Sequence, residues 1–309
     1  MSSKWTVDRI PPQDGRLAVV TGANSGLGLV TSRELARAGA RVVMACRNVD
    51  KGQSAVAAIT TELPAAQLEL EELDLASLDS VRSFAARLLE AHDTLDLLIN
   101  NAGVMATPRR QTSDGFELQF GTNHLGHFAL TGLLIGAMGG QDPRVVTLSS
   151  GAHRIGRIAF DNLGGEERYF RWRAYGQSKL ANLLFALELD RRLRAAGSPV
   201  KSLAAHPGYA NTNLQQAGPP ALDGAIMRLT DRLLAQSEEM GALPTLWAAT
   251  EPGVEGGTFA GPDGLAEQRG YPHRVTPNRA ARDEEVASRL WDVSEEMTGV
   301  RYELAGAVA

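Results

Sequence analysis

The chain of 309 residues is 43% hydrophobic and 22% charged, with a formal net charge of −5. That length can bury a large core within one domain, and the acidic balance gives no general electrostatic case for nucleic acid or an anionic membrane surface. A single cysteine, Cys46, excludes an internal disulfide and suits a reducing compartment; the longest apolar stretch, Phe128 to Met138, is well short of the roughly 20 residues that cross a bilayer.

Residues 1–15 are polar, contain two prolines and lack the apolar centre of a secretory signal, so they read as an N-terminal extension of a cytoplasmic protein. The apolar run Arg16 to Thr21 suits a buried parallel strand, and it leads directly into Gly22-Ala23-Asn24-Ser25-Gly26-Leu27-Gly28 at the start of a helix. Gly22 lets the chain turn sharply. Gly26 and Gly28 remove the Cβ atoms that would hold a pyrophosphate away from a helix amino terminus. Taken alone, the loop also reads as an ordinary strand-to-helix turn.

A helix over Leu29 to Ala38, ended by Gly39, precedes a second strand, Arg41 to Ala45. Next come a helix from about Lys51 to Glu62, a strand over Leu68 to Leu75, a helix over Leu78 to Ala91 and a strand over Leu95 to Ile99. A long helix from about Phe116 to Gly136 leads to strand five, Arg144 to Leu148. Another helix, Tyr175 to Ala196, leads to strand six, Val200 to Ala205, and Gly257 to Ala260 makes a seventh. This alternation predicts a single α/β domain over 16–309, a Rossmann fold with a doubly wound parallel sheet of about seven strands and helices on both faces.

Ligands of such sheets bind beyond the carboxyl ends of the strands. Gly22 follows strand one, Arg47 strand two and Asn100-Asn101-Ala102-Gly103 strand four; Asp74 closes strand three, Ser150 follows strand five and Pro207-Gly208 strand six. All fall on one edge. Tyr175 and Lys179 are spaced i, i+4, which puts ammonium and phenol on one helix face and makes the tyrosine usable in proton transfer.

Over roughly residues 16 to 260 the chain resembles the short-chain dehydrogenase/reductase family. The matching motifs are Thr21-Gly22-x3-Gly26-x-Gly28, Asp74-Leu75, Asn100-Asn101-Ala102-Gly103, Asn123, Ser150, Tyr175-x3-Lys179 and Pro207-Gly208. Asn123 to Phe128, Ala45 to Asn48 and Ser178 to Asn182 look like the retinol dehydrogenase and protochlorophyllide reductase branch. The resemblance implies that Tyr175 transfers a proton while hydride passes between substrate carbon and nicotinamide. It implies that Ser150 holds the substrate oxygen, that Lys179 bonds the nicotinamide ribose and that Asn123 holds a water linking Lys179 to solvent. Ser150 is preferred to Ser149 because the family places its serine second in such a pair. The implied cofactor set is Gly22, Asn24, Ser25, Gly26, Leu27, Gly28, Arg47, Asp74, Leu75, Asn101, Ala102, Gly103, Tyr175, Lys179, Pro207, Gly208 and Thr212, with the Asp74 carboxylate on the adenine amino group. Free tyrosine titrates near 10, and lowering that by about three units takes roughly 4 kcal/mol of preferential phenolate stabilisation, which Lys179 and an oxidised nicotinamide ring could supply.

Arg47 stands where an NAD site places an acid and an NADP site accommodates an arginine; no acid occupies 45–48, so NADP(H) is favoured over NAD(H), with a role for Arg47 stacked on adenine as the alternative. Asn123 and Asp74 could instead be caps. His124 and His127 have a helical spacing that could bind metal, but no acid or cysteine completes a site, and packing or exposure is the reading preferred. Cys46 reads as a small buried residue.

Residues 151–174 form an insert relative to compact members, and Arg168-Tyr169-Phe170-Arg171-Trp172-Arg173 within it reads as a packed loop or subunit contact rather than a nucleic-acid surface. Residues 209–236 stand where the family carries a substrate-covering segment; Leu222, Ala225, Ile226, Leu229 and Leu233 recur there at helical spacing, fitting either a lid or a fixed wall. The resemblance also implies homodimers or homotetramers built on the helices near 116–136 and 175–196. The leading reading is an NADP(H)-dependent enzyme acting on a small apolar carbonyl or alcohol. Reduction of a carbon-carbon double bond and a non-catalytic nucleotide sensor are the alternatives.

Overall fold

Burial on both faces governs the central strands. β1 (Leu17–Thr21), β2 (Arg41–Cys46), β4 (Leu97–Asn100), β5 (Arg144–Leu148) and β6 (Lys201–Ala205) are buried at every position after the first, as strands covered on both sides must be. The computed structural model describes residues 4–209 and 236–304, so Thr212 and nearly all of the expected substrate-covering segment lie outside the described residues. With β3 (Gln67–Glu72), β7 (Phe259–Pro262) and β8 (Pro272–Arg274), the strands form one sheet in the order β3-β2-β1-β4-β5-β6-β7-β8. Neighbours are parallel except β7 and β8, which are antiparallel.

Alternate residues of the strands enter opposite cores, the period-two consequence of the pleat. Ala18, Val20, Val42, Met44, Leu97, Ile99, Val146 and Leu148 pack with Leu35 of α1 (Gly26–Arg37), Ile59 of α2 (Val49–Glu62) and Leu246 of α7 (Glu238–Thr250). Leu17, Val19, Val43, Ala45, Leu98 and Val145 pack with Phe84 of α3 (Leu78–Ala91), Phe128 of α5 (Gly126–Leu134), Phe185 of α6 (Arg171–Ala195) and Trp291 of α8 (Glu284–Thr298). The doubly wound arrangement follows. No helix among the described residues is long and apolar enough to cross a membrane.

The elements depart from the sequence expectation at identifiable points. β3 ends at Glu72 rather than Leu75, because Leu73 N still bonds Cys46 O but Asp74 turns the chain by accepting from Ala76 N at 2.9 Å. The single helix expected over 116–136 is divided. Gly121–Leu125 is a π turn between α4 (Leu118–Phe120) and α5, and Ile135–Ala137 closes as a 3-10 turn. α6 begins at Arg171, four residues before Tyr175, so Tyr175 and Lys179 sit inside the helix and not at its fraying end. β7 begins at Phe259 because Gly257 has a positive φ of 73° and cannot continue an extended strand. The edge strand β8, with a proline at its first position, makes the sheet eight-stranded.

α8 and the chain after it cover the helices expected to pair between subunits. Trp291 lies 5.2 Å from Phe128 and 5.9 Å from Phe185 between ring centroids, and the Tyr302 hydroxyl donates to Phe128 O at 2.7 Å.

Candidate active site

Beyond the carboxyl ends of the parallel strands lies a cavity of about 660 Å³. Its first wall is the glycine loop. Gly22 and Gly26 have φ of 67° and 57°, and a Cβ on Gly28 would stand 2.4 Å from Gly22 O and 2.5 Å from Asn101 Nδ2. Only glycine fits that packing. Ser25 caps α1 without a side-chain bond, leaving first-turn amides at the cavity wall for an anion. These residues fit a dinucleotide pyrophosphate.

Thr21 ties this loop to the end of β4. Its Oγ1 accepts from Asn101 N and Ala102 N, both at 2.9 Å, while Asn101 Nδ2 donates to Thr21 O at 2.7 Å. His127 braces the same hydroxyl through Nε2 at 2.9 Å and reaches Asn123 O through Nδ1 at 2.9 Å. Burial lowers His127 to about 4 and His124 to about 3, so both rings are neutral near pH 7. His124 Nε2 bonds Ser294 Oγ at 3.0 Å. Among the described residues no group of three or more His, Cys, Asp or Glu is placed to hold a metal.

The opposite wall carries Ser150, Tyr175 and Lys179, which the fold brings from β5 and α6 into one cavity. Ser150 caps a 3-10 turn, accepting from Ala152 N at 3.2 Å, and its hydroxyl acts on the Tyr175 phenol in the direction that favours phenolate, against the larger effect of burial. Ser149 is committed elsewhere, donating to Lys179 O at 2.8 Å, so the geometry favours the second serine of the pair. Lys179 Nζ donates to Leu148 O at 3.2 Å. Burial pushes Tyr175 up to about 12 and Lys179 down to about 8. The tyrosine shift is opposite in direction to that expected from the i, i+4 spacing. Desolvation penalises both charged forms, and the ammonium gives its hydrogen bond to a carbonyl rather than to the phenol.

The other predicted site residues divide. Gly22, Asn24, Ser25, Gly26, Leu27, Gly28, Asn101, Ala102, Gly103, Pro207 and Gly208 line the cavity; Asn123, Arg47, Asp74 and Leu75 do not. Asn123 is buried in the π turn, with Oδ1 accepting from Val104 N at 2.7 Å and Nδ2 donating to Val104 O and Ser178 Oγ, both at 2.9 Å. Those bonds hold the loop after β4 against α6. Asp74 makes the capping contact described above, and Leu75 is buried where a Cβ on Gly126 would meet its carbonyl at 2.5 Å. Arg47 is exposed just after β2.

Met105, Trp172, His206, Tyr209, Glu267 and Gln268 also line the cavity and were not foreseen. Trp172, three residues before Tyr175, shares its helix face and could have been read from that spacing. Glu267 and Gln268 come from the β7–β8 loop, where no local pattern marks them.

Residues 16–222 match the family model described as short chain dehydrogenase. The chain belongs to the short-chain dehydrogenase family. It is 42% identical to retinol dehydrogenase 14 of Mus musculus over 300 residues, covering 93% of this chain and 86% of that protein. It is equally 42% identical to polyprenol dehydrogenase of Mus musculus over 301 residues, covering 94% and 86%. Among solved structures, an uncharacterized protein from Mycobacterium paratuberculosis is 45% identical with a TM-score of 0.81, covering 97% of this chain and all of that one. A short chain dehydrogenase from Shigella flexneri complexed with NADP shares the fold at 22% identity and a TM-score of 0.62, covering 80% and 96%. The family assignment makes the protein an oxidoreductase acting on CH–OH and C=O groups with a nicotinamide cofactor.

Proposed function

We propose that the protein is an NADP(H)-dependent oxidoreductase of apolar alcohols and aldehydes or ketones, with Tyr175 as the proton-transferring group. The observation that carries this reading is that Ser150, Tyr175 and Lys179 line the same cavity as the glycine loop. A bound nicotinamide supplies or accepts the hydride. The Ser150 hydroxyl orients the substrate oxygen, and Tyr175 gives its proton to that oxygen as negative charge develops there. With Tyr175 at about 12, the phenol is protonated near pH 7 and ready to act as an acid in carbonyl reduction. Lys179, at about 8, is then mostly charged and lowers the cost of phenolate formation. Asn123 positions rather than reacts, holding the Val104 backbone and Ser178 of the helix that carries the pair.

Arg47 supports NADP(H) over NAD(H), because it follows β2 on the ligand edge with no acid from Ala45 to Asn48. Apolar substrates suit the Val104, Met105 and Trp172 side of the cavity, and relatives named retinol dehydrogenase and polyprenol dehydrogenase point to long isoprenoid alcohols and their aldehydes. The test is a panel of retinal, polyprenal and short aldehydes, with the matching alcohols, assayed with NADPH, NADP, NADH and NAD. Preferential NADPH-dependent reduction of the long apolar aldehydes is expected. Turnover confined to carbon-carbon double bonds, or none at all, would contradict the proposal.

A further inference from the structure

A charged clasp outside the proposed proton-transfer group joins the turn after β6 to the loop between β7 and β8. His206, buried to 1% exposure, bonds Glu267 Oε2 through Nε2 at 2.9 Å, and the same carboxylate oxygen takes Arg154 at 2.7 Å. Arg154 belongs to the 3-10 turn that Ser150 caps. On its other nitrogen, His206 accepts from Gly208 N at 3.3 Å. Backbone contacts extend the joint. Tyr209 N donates to Gln268 O at 2.7 Å, Gln236 N to Tyr209 O at 2.8 Å, and Gly270 N to Gln236 Oε1 at 3.2 Å.

The loop itself holds an unfavourable conformation to make these contacts. Ala266 and Glu267 are consecutive non-glycine residues with φ of 52° and 57°, a left-handed pair that persists only where its surroundings over-determine it. Glu267, Gln268, His206, Pro207, Gly208 and Tyr209 all line the cavity. The carboxylate is held down to about 2, chiefly by its hydrogen bond to His206, so it stays charged across the working pH range. Burial keeps His206 below its ordinary value. A neutral ring with the proton on Nε2 satisfies both Glu267 and the Gly208 amide.

We infer that Glu267 is a positioning residue which, through His206 and Arg154, fixes the Pro207–Tyr209 turn as a wall of the cofactor cavity. This rests on the reading of that cavity as an NADP(H) site. Loss of the clasp loosens the wall without removing the proton donor, so binding suffers more than the chemical step.

The test compares Glu267→Ala, Glu267→Gln and wild type as full chains. NADPH dissociation constants are read by titration calorimetry, kcat and KM with a long apolar aldehyde, and folding by thermal melts. Glu267→Ala should weaken NADPH binding about tenfold with kcat within about twofold, the scale of losing one charge-assisted hydrogen bond from a network. Glu267→Gln keeps an acceptor for His206 Nε2–H and should recover most of the affinity. Unchanged NADPH affinity in a folded Glu267→Ala chain, or no recovery in Glu267→Gln, would overturn the assignment. A wild-type chain that binds neither NADPH nor NADH would instead overturn the oxidoreductase reading, and this assignment with it.

Discussion

The Lys179 ammonium lies 5.8 Å from the centroid of the Tyr175 ring while donating to Leu148 O. It is close enough to stabilise a developing phenolate, yet both groups are deeply buried and each is shifted toward its neutral form. Near pH 7 the phenol is neutral in the folded and unfolded chains alike, so it is the buried Lys179 ammonium that costs the fold stability.

Lys179→Met should make the protein more stable and less active. At pH below 8, Lys179 is protonated in both folded and unfolded chains, and its burial costs on the order of 3 kcal/mol. Between pH 8 and the ordinary value of 10.5, the unfolded chain binds more protons than the folded one. Wild-type stability then rises relative to the variant. Leu148 O retains a partner in Asn182 Nδ2 at 2.9 Å, so methionine strands no acceptor. Thermal melts from pH 7 to 10 should show a higher Tm for the variant at pH 7 and a gap that narrows above 8. A lower Tm at pH 7, or a gap independent of pH, would show that the buried charge is not the dominant effect.

Gly28→Ala should abolish nucleotide binding and lower stability. The added Cβ meets the Gly22 carbonyl at 2.4 Å, and that oxygen belongs to backbone held by Gly22 N bonding Ala45 O at 2.7 Å. Overpacking of this kind costs about 1–3 kcal/mol. Calorimetry should find NADPH affinity reduced at least about a hundredfold, since the loop must move; an affinity near wild type would mean that the loop is not the phosphate cradle.

Arg47→Asp should shift preference from NADP(H) toward NAD(H). The substitution removes a cation suited to the 2′-phosphate and places a carboxylate where ribose hydroxyls can donate to it. Arg47 is exposed, so folding should be unaffected. Paired dissociation constants for NADPH and NADH decide the matter, and an unchanged ratio would show that Arg47 does not read the phosphate.

Trp291→Ala should destabilise the protein by about 3–5 kcal/mol. The indole is 2% exposed and packs on Phe128, Phe185 and Tyr302, so its loss opens a hole between α8 and the two helices beneath it. Chemical denaturation should show the midpoint falling; a shift below about 1 kcal/mol would mean that α8 closes the gap.

The legible parts of the molecule were those with local signals. β1, β5 and β6 are apolar runs ended by glycine, serine or proline, and the glycine loop announces its close approaches by composition, so the ligand edge could be drawn before the fold was known. Tyr175 and Lys179 followed from helical spacing. The π turn at Gly121–Leu125 was hidden because nothing in Gly-Thr-Asn-His-Leu distinguishes a widened turn from an ordinary helical one. β8 has three residues and a proline, too little for a strand signature. Glu267 reaches His206 across 61 positions, and no local pattern encodes such a contact. The upward shift of Tyr175 in the chain without its cofactor is not legible in the sequence, because spacing reports a nearby cation but not the depth of burial.

The most direct test is the rate of NADPH oxidation with all-trans-retinal as acceptor, compared between wild type and Tyr175→Phe, with NADPH affinity measured on the same samples. The variant lacks only the phenolic hydroxyl of Tyr175, across the cavity from the glycine loop, so the nucleotide cradle is left intact. Wild type should turn over and Tyr175→Phe should lose about 10²–10⁴-fold in kcat with little change in NADPH affinity. Turnover of Tyr175→Phe within about twofold of wild type would contradict proton transfer by Tyr175.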